Sequence, residues 1–181
     1  TGKNDYKACK MWGRPKKGLK TANPTELHCI RAFVRQCSVG EMVRWLYDLY
    51  EAIPEDAAAT FYMEANFMQD TILDEFEREG VARGYQLPIL PDTRKKPDKY
   101  ARIEAISPLW ERGCVYYNEK LQNDPDMKTG IEQTLAFEQG SRAHDDSPDA
   151  DEGAIWKLQK QVREDNFQPR LGVRQLPDNA W

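Results

Sequence analysis

The amino-acid sequence predicts an α/β domain in which a central mixed β-sheet is flanked by helices. Three observations carry this: two adjacent β-patterned segments open the chain, helical and strand patterns then alternate, and two helices close it. At 181 residues, 40% hydrophobic and 31% charged, the chain is long enough to bury a single core without disulfides or metals.

"YKACKMWG" (6–13) and "LHCIRAFVRQ" (27–36) carry apolar and aromatic residues in partial alternation. The basic, Gly- and Pro-bearing "RPKKGLKTANPT" (14–25) between them reads as a hairpin loop, so the two strands are expected to be antiparallel. Ser38 and Glu41 form a capping-box pattern, and Met42, Trp45, Leu46, Leu49 and Ile53 recur at helical spacing up to Pro54. "AATFYMEAN" (58–66) reads as a short strand ending in Glu64 and Asn66, followed by a helix over 68–79 that Gly80 stops. "YQLPILP" (85–91) reads as a strand placed at an edge by Pro88. Asp98 caps a helix over 99–113 that Pro108 kinks or divides. "CVYYN" (114–118) is the last strand, with helices over 124–138 and 148–162 behind it. The domain is expected to span 1–162, leaving 163–181 as a tail.

No apolar run approaches a membrane span, so no membrane partner is expected. Cys9, Cys29, Cys37 and Cys114 form no CxxC pair and read as reduced, mostly buried thiols. Neither a Walker A pattern nor GxGxxG occurs, which excludes an encoded P-loop ATPase or dinucleotide-binding domain. The net charge of −4 conceals segregation: residues 1–35 hold nine basic side chains against Asp5 and Glu26, residues 41–80 are acidic, and 94–102 (RKKPDKYAR) are basic again. Basic tracks beside an acidic centre suit a polyanion held next to a cation site.

"HDDSPDADEGAIW" (144–156) concentrates that acidity. Asp146 or Ser147 can cap a helix with Pro148 at its first position, and acids suit that end of the helix dipole. Capping accounts for one or two acids. His144, Asp145, Asp146 and Asp149 together call for a cation, because like charges a few ångströms apart repel unless one is neutralised. Hard oxygen donors select Mg²⁺ or Mn²⁺ over Zn²⁺. Glu64, at the end of an apolar strand, offers a third carboxylate. His28 reads as structural; His144 is a candidate for tuning a metal-bound water. Trp12, Phe33, Trp45, Phe61, Phe76, Trp110 and Trp156 read as core, and Gly153 as permitting close helix-to-sheet packing.

"GKNDYKA" (2–8), "FVRQCSVGEMVRWLYD" (33–48), "YMEANFMQD" (62–70), "KPDKYARIEAISPLWERGCVYY" (96–117) and "HDDSPDADEGAI" (144–155) resemble, in this order, the C-terminal nuclease domain of the large terminase subunit of tailed bacteriophages. Asp-x-x-Asp-Ala at 146–150 is also similar to the end of RuvC-type Holliday-junction resolvases. The resemblance implies an RNase H-like fold and a Mg²⁺- or Mn²⁺-dependent endonuclease that cuts concatemeric viral double-stranded DNA during packaging, in the host bacterial cytoplasm. It implies catalytic roles for Glu64, Asp146 and Asp149, and metal ligation by Glu64, Asp145, Asp146 and Asp149 in a two-metal site. A further acid is expected on a strand preceding Gly2, upstream of this chain, the alternative being that Asp5 substitutes for it, with an ATPase domain before it; portal protein and small terminase subunit are the implied partners. Lys16, Lys17, Lys20, Arg94, Lys95, Lys96 and Lys99 are the candidates for phosphate contacts. Two alternatives stay open: another RNase H-like DNA nuclease such as a junction resolvase, and a non-catalytic module that docks DNA and portal.

Overall fold

The computed structural model describes residues 6–15, 25–54, 57, 59–68, 70–141 and 143–166. The opening pattern forms β1 (Tyr6–Gly13) and β2 (Leu27–Gln36), an antiparallel pair in which Tyr6 faces Gln36 and Gly13 faces His28. The register slips between Met11 and Trp12, leaving Ile30 as the extra residue of a bulge.

Ser38 caps α1 (Val39–Glu51), its hydroxyl accepting from the Glu41 amide at 3.2 Å. Only half of the expected capping box forms, since the Glu41 carboxylate reaches Arg35 instead. Next come β3 (Phe61–Glu64), a short 3-10 turn over Ala65–Phe67, and α2 (Asp70–Arg83). Helix α2 runs through Gly80, where a stop is expected, and ends at Gly84, whose φ of 78° supplies the left-handed residue.

β4 (Ile89–Asp92) is followed by α3 (Lys99–Glu104) and α4 (Pro108–Glu111), so Pro108 divides the expected helix and begins its second half. β5 (Val115–Tyr117), α5 (Pro125–Leu135) and α6 (Asp146–Asn166) complete the described chain, α6 continuing past the expected domain boundary at 162.

The strands form two sheets, where the sequence suggests a single one. β1, β2 and β5 make a mixed three-stranded sheet ordered β1-β2-β5, with β5 parallel to β2. β3 and β4 pair in parallel as a separate two-stranded sheet. The helices bind the two sheets into one layered body. On one side, Phe33 of β2 packs with Met42, Val43, Leu46 and Tyr47 of α1 and Ile72 and Phe76 of α2, and Cys9 of β1 and Phe61 and Met63 of β3 join the same cluster. On the other, Trp12, Cys29, Ala32 and Val34 pack with Ile106, Met127 of α5 and Ile155 of α6. Among the described residues no strand bridges β1 and β3.

Trp12, Phe33 and Phe76 are buried as expected, with Trp45, Phe61 and Trp110 packed at the core margins. Trp156 belongs to neither cluster; the Arg94 guanidinium covers its ring at 4.4 Å. Nothing approaches within 4 Å of a Cβ built on Gly153, so the expected close packing there is absent. The four cysteines are free thiols, two of them (Cys29 and Cys37) buried. Among the described residues no helix is long and apolar enough to cross a membrane.

Candidate functional site

Helix α6 works through two faces. Ser147, Pro148, Asp151 and Ile155 are fully buried and fasten it to β1 and α5. Ser147 is no cap: its hydroxyl donates to the Gly130 carbonyl at 2.8 Å, and its amide donates to Gln133 Oε1 at 3.0 Å. Asp151 Oδ1 accepts from Trp12 Nε1 at 2.9 Å and lies 3.3 Å from Lys10 Nζ, with both charged side chains wholly buried. Thr134 donates to Asp151 Oδ2 at 3.0 Å. Burial dominates at Asp151 and pushes its carboxyl above the ordinary range, against the pull of Lys10.

The second face carries Asp145, just ahead of the helix, then Asp149, Glu152 and Trp156, residues spaced to share one side of a helix. It meets the segment between β4 and α3. Arg94 grips Glu152 with both terminal nitrogens, at 2.8 and 2.6 Å, and Arg102 adds a third contact to the same carboxylate at 2.6 Å. Glu152 and Arg102 are 3% and 8% exposed, so this is a buried, multiply bonded ion cluster. Arg102 also pairs with Asp149 Oδ1. Lys157, from the next turn, pairs with Asp92 at 2.9 Å and lies over the Tyr62 ring.

The lysines of the same segment reach the carboxylates singled out from sequence. Lys99 Nζ lies 2.7 Å from Asp145 Oδ1 and 3.5 Å from Asp149 Oδ2, so two carboxylates close on one ammonium. Lys96 pairs with Glu64 at the end of β3, and its charge also acts on Asp149. Burial alone would raise the Asp149 carboxyl; Arg102, Lys99 and Lys96 outweigh it and hold Asp149 below the usual carboxylate range. Asp146 goes the other way, raised by burial and by neighbouring Asp145. It sits about 100° round the helix from Asp145 and, among the described residues, enters no ion pair.

The structure therefore brings Asp145 and Asp149 together on Lys99, pairs Glu64 with Lys96 of the same basic segment, and leaves Asp146 beside them. It also corrects the expectation of separate acidic and basic zones, because Arg94, Lys96 and Lys99 are interleaved with the acids. Of the basic residues at 94–96 and 99, Arg94 is largely buried, Lys96 and Lys99 are half-buried and Lys95 is exposed. Lys16, Lys17 and Lys20 lie outside the described residues, as do Asp5 and Gly2. His28 stacks on Tyr116, consistent with a structural role, and the exposed His144 packs its ring against Tyr6.

Sequence reasoning missed Arg102, Glu152, Lys10 and Asp151. A signal for Lys10 was present: strand alternation places it on the same face as Ala8 and Trp12, where a lysine requires a buried counterion.

Among the described residues no three His, Cys, Asp or Glu side chains are grouped closely enough to hold a metal ion by themselves. The donors nevertheless fit a hard divalent cation in kind. Asp145 and Asp149 already share the Lys99 ammonium, while Asp149 Oδ1 is also taken by Arg102. Compared with known proteins, the chain matches no family model and no curated protein.

Proposed function

We propose that the chain is an RNase H-like nuclease domain of the terminase large-subunit kind, a Mg²⁺- or Mn²⁺-dependent endonuclease acting on double-stranded DNA. The observation that carries this reading is the closing of Asp145 and Asp149, at the start of the last helix, on the one ammonium of Lys99, with Glu64 at the end of β3 paired to Lys96 three residues earlier. Element order supports it as well: a β-hairpin, a helix, an acid-ended strand, a helix and a parallel strand, then, after α3, α4, β5 and α5, a final helix headed by acids.

Glu64, Asp145 and Asp149 would hold the divalent cation, with Asp146 adjacent. When bound, the metal supplies Lewis acidity toward a scissile phosphate and lowers the pKa of an attacking water. The chain's own groups do the rest. Arg94 and Arg102 clamp Glu152 and so fix the 92–102 segment against α6. That clamp holds Lys95, Lys96 and Lys99 at the rim, where they can contact backbone phosphates without reading bases. DNA from the packaging concatemer, the portal protein, the small terminase subunit and an ATPase domain are the partners this reading implies.

A second reading has its own support: cations already neutralise the acids, which suits a non-catalytic module that docks DNA and portal. Plasmid nicking in Mn²⁺ separates the two. The nuclease reading expects wild-type nicking and a loss of about 100-fold or more in Glu64→Ala and Asp149→Ala. Nicking that survives Glu64→Ala, or a protein that binds plasmid yet stays inert with the upstream acid-bearing strand restored, contradicts it. Preference for four-way junctions over linear duplex would point to a resolvase.

A further inference from the structure

Trp156 lies outside both core clusters, yet three cations gather on it. The Arg94 guanidinium lies over its ring at 4.4 Å, and the ammonium groups of Lys157 and Lys160 lie 5.4 and 5.5 Å from the ring centroid. An aromatic face attracts cations, but three like charges converge on one ring only against their mutual repulsion. Two carboxylates offset it: Glu152, held by Arg94 and Arg102 together, and Asp92, paired with Lys157 at 2.9 Å. Depth separates the signs. Glu152 and Asp92 are 3% and 7% exposed, whereas Arg94 and Lys157 are 11% and 20% exposed and Lys160 is fully at the surface. The layer that meets solvent is therefore cationic. Beside it, the outer face of the β3-β4 sheet leaves the register partners Tyr62 and Leu90 exposed, with Lys157 4.2 Å from the centre of the Tyr62 ring. Glu64, on the same face of β3, is taken by Lys96.

We propose that Trp156 and Tyr62, with the cations around them, form a platform for single-stranded DNA, on which unpaired bases stack while Lys157 and Lys160 meet the phosphates. Aromatic rings set among surface cations match both parts of such a ligand, the base faces and the charged backbone. A duplex uses only the charges, because its bases stack on one another and offer no free face. Arg94 stacks on Trp156 while it grips Glu152, and Arg102 holds the same carboxylate, so the indole is fixed in place before anything binds. Trp156 follows Asp149 by seven residues, which places it two turns along the same side of α6 and about 10 Å away. A strand laid on the platform leads toward the acids at the head of the helix. The inference rests on the nuclease reading for the choice of DNA over RNA, and adds to it an unpaired strand as the bound form.

Fluorescence anisotropy in EDTA, where nothing is cut, compares a labelled oligothymidylate with an abasic strand of the same length, which keeps the phosphates and lacks the bases. Wild type should bind the oligothymidylate about 10-fold more tightly than the abasic strand. Trp156→Leu should abolish that preference and Trp156→Phe should keep most of it, with affinity for blunt duplex unchanged in both. Lys160→Gln should weaken binding of both single strands and lower the salt slope by about 0.7. Thermal melts verify folding; should Trp156→Leu melt early, the comparison of the two strands on wild type still decides. Equal wild-type affinity for the two strands, or a folded Trp156→Leu that keeps the preference or loses as much affinity for duplex, overturns the platform. Oligouridylate bound more tightly than oligothymidylate overturns the choice of DNA. Plasmid nicking on the same preparations tells these failures from failure of the nuclease reading: protein that nicks in Mn²⁺ but does not distinguish the two strands contradicts the platform alone, and protein that does neither contradicts both.

Discussion

Lys10 Nζ lies 3.3 Å from Asp151 Oδ1 with neither side chain exposed, so a complete ion pair is enclosed between β1 and α6. Two charges withdrawn from water are tolerated only while they neutralise each other and keep their remaining partners. Asp151 has such partners in Trp12 and Thr134.

Removing one member should therefore cost far more than removing both. Lys10→Met is expected to destabilise the fold by about 3 kcal/mol, because Asp151 is left as an uncompensated buried acid. Adding Asp151→Asn should restore most of that loss. The amide oxygen can still accept from Trp12, and the amide nitrogen can donate to Thr134 Oγ1 once that hydroxyl turns its proton from residue 151 to the Gly130 carbonyl, 3.0 Å away. Urea unfolding of the three proteins gives the comparison; equal stability of single and double variants would contradict it.

Asp149 and Asp146 should titrate on opposite sides of the ordinary aspartate value of 3.8. Asp149 is depressed in the folded state, so its contribution to stability is present above 3.8 and is lost as pH falls through the lower folded value. Asp146 is raised, and its burial as an anion opposes folding at neutral pH. Carboxyl carbon NMR titration should order the two, and Asp149→Asn should flatten the acid limb of the stability curve. An Asp149 that titrates above Asp146 would refute the charge network.

Two glycines should respond with opposite sign. Gly84→Ala forces a side chain into the left-handed region at φ 78° and should cost about 1 kcal/mol. Gly153→Ala sits within α6 with open space around the new methyl group and should stabilise by about 0.5–1 kcal/mol. Thermal melts of both variants suffice.

The hairpin lysines should contribute affinity without sequence preference. Replacing Lys16, Lys17 and Lys20 by Gln should weaken duplex binding uniformly across sequences and reduce the salt slope by about 0.9 for each phosphate no longer neutralised. An unchanged slope would remove the hairpin loop from the DNA-binding surface.

Much of this architecture is legible because local signals and tertiary packing agree. Ser38 and Asp98 act as caps, Pro108 divides a helix, and the β1-β2 pairing follows from two alternating segments around a turn-rich loop. The end of α2 is not, because Gly80 is tolerated inside a packed helix while Gly84 supplies the terminal conformation. Separation into two sheets is equally hidden, since strand patterns carry no record of which edges pair. At the site, Glu64, Asp145 and Asp149 stand out as acids in costly positions. Their cationic partners do not, because a basic run such as 94–102 reads as a solvated track until the fold turns Arg94, Lys99 and Arg102 toward the start of α6 and Lys96 toward Glu64.

Crystals soaked in Mn²⁺ and measured at its absorption edge test most directly whether Glu64 and the α6 aspartates form a divalent-cation site. The expected result is anomalous density among the carboxylates of Glu64, Asp145 and Asp149. The contradicting result is no density there at a Mn²⁺ concentration that supports nicking.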